Sequence, residues 1–424
     1  MIRMDKFVVQ GGNPLKGSVQ VSGSKNAVLP IMAATLLADG VYEIENVPRL
    51  RDVQTMLKML HSLGLEAEQN GHALRIRGVP CNAFEAPYDL VKTMRASVYV
   101  LGPLLARYGQ ARVSLPGGCA WGPRPVNLHI EGMQKLGAKI EIRNGYIHAR
   151  AARLRGAEIV FDIPSVGATG NILMASVLAK GRSTIENAAR EPEIESLALF
   201  LNDMGAKING IGSHRLEIEG VDTLHPARTA VIPDRIEAGT FLIAAHMTGG
   251  NIRLTHVEPA HLESVIRKLS ESGAVIETDT GAIQLKSHGK ISPVNITTAV
   301  YPGFPTDMQA QWMALMTRSN GVSVIRDDIY EDRFTHVAEL KRLGADITLD
   351  HNIAVVNGKK RISGAPVMST DLRASASLII AGLIAEGETH ISRVYHIDRG
   401  YEKIEMKLKK LGAEIERTKE VLVI

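Results

Sequence analysis

Six copies of one short phrase constrain this chain more than any other feature. LHSLGLEAE, MQKLGAKIE, LNDMGAKIN, LSESGAVIE, LKRLGADIT and LKKLGAEIE place a glycine at Gly64, Gly137, Gly205, Gly273, Gly344 and Gly412. The intervals are 73, 68, 68, 71 and 68 residues, the mark of a repeated supersecondary unit. Each phrase closes an amphipathic helix, such as 53–63 or 401–411, with glycine where a left-handed residue is wanted. A hairpin pattern follows each, as in AKIEIRNGYIHAR and ADITLDHNIAVVNG, where alternating residues flank a polar turn.

A second kind of helix precedes each phrase: NAVLPIMAATLLADG, SVYVLGPLLARYG, ATGNILMASVLAKG, EAGTFLIAAHMTGG, MQAQWMALMTRSNG and ASASLIIAGLIAEG. These are apolar or small nearly all the way round, which predicts burial on every side. The unit reads strand, buried helix, strand, amphipathic helix, hairpin. Three buried helices inside a shell of sheets and outer helices make one domain, and 424 residues hold two such sets. The expected fold is α/β, with six βαβαββ repeats in two pseudo-threefold domains that divide near 231–239.

The function classes open to such a chain are narrowed by composition. Net charge is +4 and no run of Lys/Arg reads as a nucleic-acid arm or membrane patch. Aromatic residues are 4%, too few for base-stacking platforms. Two cysteines, Cys81 and Cys119, do not make a disulfide scaffold, and a reducing cytoplasm is expected. The start lacks the apolar region of a signal peptide. No apolar run reaches the ~18–20 residues of a membrane span.

Chemistry is expected where the buried helices begin. Their entrances are polar: SGSKN, KTMRAS, PSVGATGN, PDRIEAGT, FPTDMQ and STDLRAS. Capping accounts for the Ser, Thr and Asp. It does not account for Lys25, Arg95, Arg235 and Arg373, because cations at helix N-termini oppose the macrodipole. A bound anion resolves that conflict, and predicts a substrate with several phosphates or carboxylates in a cleft between the domains. The second repeat also breaks step. It takes 28 residues from Gly109 to Gly137 where the others take 23 to 25, and the excess lies in SLPGGCAWGPRPVN. A Gly/Pro-rich insertion on a rigid scaffold suits a functional loop. Cys119 sits in it with Arg124 nearby, a setting that favours a reactive thiolate over a packed small hydrophobe.

With these words assembled, the chain resembles the UDP-N-acetylglucosamine 1-carboxyvinyltransferases, the enolpyruvyl transferases that open bacterial peptidoglycan synthesis. SGSKNAVLPIMAATLLA, PGGCAWGPRPVNLHIEGMQKLGA, PSVGAT, YPGFPTDMQAQ, EDRFTHVAELKRLGA, TDLRASASLIIAG and IDRGYEKIEMKLKKLGA carry the likeness, which runs over essentially the whole chain. The resemblance implies a two-domain inside-out α/β barrel. Residues 1–22 would join 233–424, with the N-terminal strand paired into repeats 4–6, and 23–232 would form the second domain with the Cys119 loop. The implied reaction transfers the enolpyruvyl group of phosphoenolpyruvate to the 3′-hydroxyl of UDP-N-acetylglucosamine by addition and elimination, releasing phosphate. No metal or cofactor is implied, no nucleic-acid or membrane partner, and a monomer or weak oligomer in the cytoplasm.

Site roles follow from the same resemblance. Cys119 matches the proton donor that can form a covalent adduct with phosphoenolpyruvate. Lys25, Asn26, Arg124 and Arg399 match the groups that bind phosphoenolpyruvate, with Lys25 and Arg399 in the catalytic set. Asp307 matches the carboxylate near the sugar hydroxyl, a general base or an orienter. The nucleotide contacts match Asn26, Arg95, Arg124, Pro125, Val126, Asn127, Leu128, Ser165, Val166, Gly167, Asp307 and Ile329. Arg333, Asp371 and Arg373 match in supporting roles, and His129, His336 and His396 are expected to pack or hydrogen-bond. The chain departs at Asn127, where many members carry Asp, at Trp121, where a smaller aliphatic is common, and at Gly170, where Glu is common. The implied cleft would close on the sugar nucleotide with the Cys119 loop as its lid. The sister activity on shikimate 3-phosphate is the nearest rival, but its NAGTA-type word is missing and the PGGC loop is foreign to it. A duplicated homologue that binds without turnover is the rival of another class. The joint presence of Cys119, Lys25, Asp307 and Arg399 argues against it.

Overall fold

The computed structural model describes residues 2–115 and 126–422. Their contacts divide into two units, one of Met1–Ser22 with Pro233–Ile424 and one of Gly23–Ile232. Each unit holds three four-stranded sheets of one topology. The strand that leads into a repeat runs parallel to the strand after its buried helix, as Glu158–Val160 does to Arg182–Glu186. That central strand then pairs antiparallel with the second arm of the hairpin, whose first arm forms the sheet edge.

Helices of the buried kind fill the interior of each unit. In 23–232 they are Lys25–Ala34, Leu101–Tyr108 and Val166–Ser176. In the other unit they are Arg235–Met247, Gln309–Met316 and Leu372–Gly382. Every residue of Leu372–Gly382 is buried, as its all-round apolar and small composition requires. Two of the six are entered through 3₁₀ turns, Arg95–Val100 and Thr306–Met308. The main apolar clusters of the two units are built around these helices.

The recurring phrase is one hydrogen-bonded device used six times. Its glycines all take positive φ, from 89° at Gly344 to 105° at Gly273. The amide after each glycine reaches back five residues, Leu65 to Leu60, Ala138 to Met133, Ala206 to Leu201, Ala274 to Leu269, Ala345 to Leu340 and Ala413 to Leu408, at 3.0–3.1 Å. The glycine amide itself bonds three residues back, as in Gly64 to His61. This is the Schellman closure, which satisfies orphan carbonyls and packs the following residue on the helix. It explains why the phrase reads LG followed by Leu or Ala in most copies.

Two strands lie outside the repeat that sequence order suggests. Lys16–Gln20 precedes the first buried helix, yet it pairs with Asn251–Thr255 in the sheet of the fourth repeat. Arg228–Ala230 precedes the fourth buried helix, yet it pairs with Gly40–Glu45 in the sheet of the first. The chain changes unit between strand and helix, so each leading strand stays behind in the unit it leaves. The first strand, Ile2–Gln10, pairs with Glu414–Leu422 and completes the sixth hairpin. Thus the last repeat borrows its second arm from the start of the chain.

Three histidines are buried in these cores. His246 bonds Ser287 Oγ at 2.8 Å and the Ser272 carbonyl at 3.3 Å, and burial lowers its pKa to about 4. Burial, with Arg95 adding to it, holds His129 at about 4. Burial, with Arg333, holds His336 at about 3. All three are neutral in the fold at neutral pH, in keeping with packing roles for His129 and His336. Below about pH 6.5 an unfolded histidine takes up a proton that these refuse. Stability is therefore complete above that pH and is lost as pH falls through 6 and 5 toward 4, by up to about 1.4 kcal/mol per pH unit for each. Urea midpoints measured from pH 7 to pH 4 should fall in that window, and a flat profile would contradict the neutral assignment.

Candidate active site

In the unit of 233–424 the polar residues gather on Asp307. It lies in the 3₁₀ turn that opens the helix Gln309–Met316. Arg333 Nη1 meets its Oδ1 at 2.8 Å and Arg373 Nη2 meets its Oδ2 at 2.6 Å. Each carboxylate oxygen thus carries a guanidinium contact, a geometry that fixes the group in place. Arg373 follows Asp371, which caps the helix Leu372–Gly382 by accepting from Arg373 N at 2.8 Å and Ala374 N at 3.2 Å. Burial opposes the charge of Arg373, but Asp307, with help from Tyr401 and Asp234, outweighs it and raises the guanidinium pKa. Burial raises the Asp371 carboxyl, with Arg333 and the capped amides pulling the other way.

Behind Arg373 lies a fully buried hydroxyl cluster. Tyr401 OH and Thr240 Oγ1 are 2.8 Å apart, and Gln311 Nε2 donates to both, at 3.3 and 3.1 Å. Arg373 Nη1 donates to Tyr401 OH at 3.4 Å. Thr240 comes from the fourth buried helix, Gln311 from the fifth and Arg373 from the sixth, so all three buried helices of the unit meet around Tyr401 OH. Arg399 ends the 3₁₀ turn Val394–Arg399. Its neighbour Asp398 is gripped by Arg417 at 2.7 and 2.8 Å, which ties that turn to the last strand.

Ile329 also lies in the unit of 233–424, and the unit of 23–232 holds the other expected residues that the structure describes. Lys25, first residue of its helix, lies 3.4 Å from the buried Asp52. Three of the nucleotide-contact segments come together around His129. The turn at Arg95 lies close enough for its charge to lower the His129 pKa. His129 is on the helix Asn127–Lys135. A β-carbon at Gly167 would sit 3.3 Å from the His129 ring. Asn171 joins the same segments, donating to the Val98 carbonyl at 2.8 Å, bonding His129 Nδ1 at 3.0 Å and accepting from Gly102 N at 2.7 Å. Ser165 caps its helix through Ala168 N at 3.3 Å. Val126, Leu128 and Val166 are half-buried beside these contacts, and Asn127 is exposed.

The anion reading of the helix entrances needs correction at two positions. Arg373 and Lys25 face carboxylates that the chain itself supplies, Asp307 and Asp52, so their positive charge does not by itself call for a bound anion. Sequence reasoning also passed over Asp52, Asn171, Thr240, Thr306, Gln311, Asp327 and Tyr401. Five of these lie inside words already singled out, but nothing local distinguishes a buried support from a surface polar residue. Cys119, Trp121, Arg124 and Pro125 lie outside the described residues.

Gly170 now has a physical account. A β-carbon there would meet Tyr99 at 3.0 Å, Leu197 at 3.3 Å and Ile194 at 3.4 Å. The position faces an apolar wall, with no room for a carboxylate. Gly170→Glu should cost on the order of 3 kcal/mol or more through an unpaired buried charge, while Gly170→Ala should change stability by less than about 1 kcal/mol. Denaturant titration of the two variants checks this, and equal stability of the Glu variant would contradict the apolar wall.

Comparison with known proteins gives a consistent picture. The family model described as EPSP synthase (3-phosphoshikimate 1-carboxyvinyltransferase) matches residues 9–421. A UDP-N-acetylglucosamine 1-carboxyvinyltransferase of Myxococcus xanthus is 56% identical over 419 residues, 98% of this chain and 100% of that protein. One of Chloroherpeton thalassium is 58% identical over 417 residues, 98% and 97% of the two chains. Among solved structures, the enolpyruvyl transferase NikO from Streptomyces tendae matches with a TM-score of 0.89 at 26% identity, covering 99% of this chain and 100% of its own. EPSP synthase from Acinetobacter baumannii matches at 0.75 and 20% identity, covering 98% and 100%, a likeness of fold.

Proposed function

This chain belongs to the EPSP synthase family, and from that premise we propose that it transfers an enolpyruvyl group to the 3′-hydroxyl of UDP-N-acetylglucosamine, the step that commits the sugar to peptidoglycan. The observation that carries this is the 56–58% identity, along 98% of the chain, to proteins named for that activity. The family model bears the name of the shikimate enzyme, but the solved EPSP synthase shares only 20% identity with this chain. The acceptor is therefore taken from the near relatives.

Phosphoenolpyruvate is the donor whose chemistry suits this transfer. In the addition step the sugar oxygen bonds to carbon 2 of the donor while carbon 3 gains a proton. In the elimination step that carbon loses a proton and the carbon–oxygen bond to phosphate breaks. Cys119 is assigned as the acid that protonates carbon 3, and Arg124 as a clamp on the donor. Lys25, Asn26 and Arg399 complete the donor contacts, since cations stabilise the developing negative charge. Arg95, Arg124, Pro125, Val126, Asn127, Leu128, Ser165, Val166, Gly167 and Ile329 are assigned to the nucleotide.

Asp307 is the best-supported of these roles. A carboxylate gripped at both oxygens by Arg333 and Arg373 is held as a rigid hydrogen-bond acceptor. That suits it to orient the 3′-hydroxyl, with the proton leaving late, more than to act as a mobile base. No group of three or more His, Cys, Asp or Glu among the described residues could hold a metal ion, and none of the assigned steps uses one. No helix among the described residues is long and apolar enough to cross a membrane.

Incubation with phosphoenolpyruvate and UDP-N-acetylglucosamine should release phosphate, and shikimate 3-phosphate should not replace the sugar nucleotide. The reverse preference would overturn the assignment. Cys119→Ser should lower turnover by about 100-fold or more, the range of a lost general acid. The epoxide fosfomycin should add its mass to the peptide carrying Cys119. Full turnover by the serine variant would remove the proton-donor role.

A further inference from the structure

The fifth repeat departs from a backbone rule that four of the six keep, as does the second, where Leu115 follows the central strand Gln110–Ser114 without a positive φ. In the first, third and fourth repeats the residue after the central strand is left-handed and its side chain ties back to the leading strand. Asn46 (φ 56°) donates to the Val231 carbonyl at 2.7 Å, and Asn187 (φ 54°) to the Phe161 carbonyl at 2.9 Å. His256 (φ 56°) lies 3.3 Å from the Val21 carbonyl. In the sixth repeat Arg393 is left-handed as well, with φ 57°. Asp327, which like them stands six residues after the glycine at the start of the central strand (Gly321 here), is not. It is the last residue of the strand Val322–Asp327 and holds the turn.

Asp327 is fully buried, whereas its counterparts Asn46, Asn187, His256 and Arg393 are exposed or half-buried. Four neutral donors saturate the carboxylate. Oδ1 accepts from Thr298 Oγ1 at 2.7 Å, Ile329 N at 3.1 Å and Tyr330 N at 2.8 Å. Oδ2 accepts from Thr306 Oγ1 at 2.7 Å. A charge taken out of water without a cation is expensive to keep, and it persists where such donors compensate it.

The partners of Asp327 lead to the site from two sides. A hydroxyl has one proton, and Thr306 gives its proton to Asp327. Its lone pairs then face Arg333, whose Nη1 donates to Thr306 Oγ1 at 3.0 Å. The same Nη1 reaches Asp307 at 2.8 Å. On the other side the Ile329 and Tyr330 amides bend the chain so that the Ile329 side chain is 43% exposed. We propose that Asp327 is a positioning residue for the transfer: through Thr306 and Arg333 it sets the Asp307 carboxylate, and through two amides it sets the Ile329 turn for the nucleotide. This rests on the function proposed above.

The two arms can be separated in the full-length chain. Thr306→Val cuts the arm to Asp307 and should lower kcat about 10-fold, with the KM for UDP-N-acetylglucosamine within about 2-fold of wild type. Asp327→Asn loosens both arms and should lower kcat and raise that KM, each about 10-fold. Adding Thr306→Val to Asp327→Asn should lower kcat no further, because one relay carries both effects. Thr298→Val removes a donor with no further link to the site, and should reduce thermal stability while leaving kcat and KM near wild type. Equal kinetic losses for Thr298→Val and Thr306→Val would overturn the proposal, since a merely structural carboxylate predicts that. So would unchanged kcat and KM in a folded Asp327→Asn chain. A wild-type chain that releases no phosphate from these substrates would sink the functional assignment itself, a separate outcome.

Discussion

A helix with apolar or small side chains on every face cannot lie on a surface, and this chain contains six of them. Each must be wrapped by other elements, and one repeat is too small to wrap its own helix. Three repeats placed together can do so, with sheets and amphipathic helices supplying the cover. The rest follows from that requirement. The outer helices must end abruptly so that the next hairpin can turn back, and the same Schellman closure serves at Gly64, Gly137, Gly205, Gly273, Gly344 and Gly412. Charged groups are concentrated at the helix entrances, and polar residues within the helices, such as Thr240, Gln311, Asn171 and His246, are neutral and hydrogen-bonded.

That concentration has a structural cost which the chain largely meets with its own groups. Asp234, Asp371 and Ser165 cap helix starts, and Asp307 and Asp52 face the cations Arg373 and Lys25. The result is a set of charges held rigidly before any substrate arrives. Electrostatic catalysis depends on such preorganisation, because dipoles and charges that need not reorient stabilise a developing charge at little further cost. The cluster of Thr240, Gln311 and Tyr401 extends this logic one layer inward, where residues of two other buried helices hold the Tyr401 hydroxyl that the Arg373 guanidinium contacts.

Much of this was legible in the residues. The repeat phrase gave the helix ends to within a residue, and the all-round apolar helices announced their burial. The words PSVGATGN, YPGFPTDMQAQ, TDLRASASLIIAG and IDRGYEKIEMKLKKLGA contained many of the residues that matter in the site. What they did not disclose was rank. Asp307 and Asp327 are both acids in polar stretches, yet one is gripped by two arginines and the other is saturated by hydroxyls and amides. Asn171 stands beside Gly170 in one word, yet one joins three segments and the other makes room for Tyr99. Such distinctions depend largely on partners from 21 to 73 positions away, such as Thr306 for Asp327 and Val98 for Asn171, which no local pattern specifies.

The sequence by itself determined the unit, its count and the way each outer helix ends, because these follow from side-chain periodicity and from glycine at one recurring position. Only the tertiary structure decided which sheet each strand joins. Lys16–Gln20 and Arg228–Ala230 stand before the first and fourth buried helices, yet each pairs in the other's repeat, and Ile2–Gln10 completes a hairpin begun near residue 414. Strand pairing is made by backbone groups that every residue carries, so a sequence can mark a strand without naming its neighbour. The same physics governs the site: composition supplied the charges, and the packing within each unit decided which meet, Asp307 with Arg333 and Arg373 in one and Lys25 with Asp52 in the other.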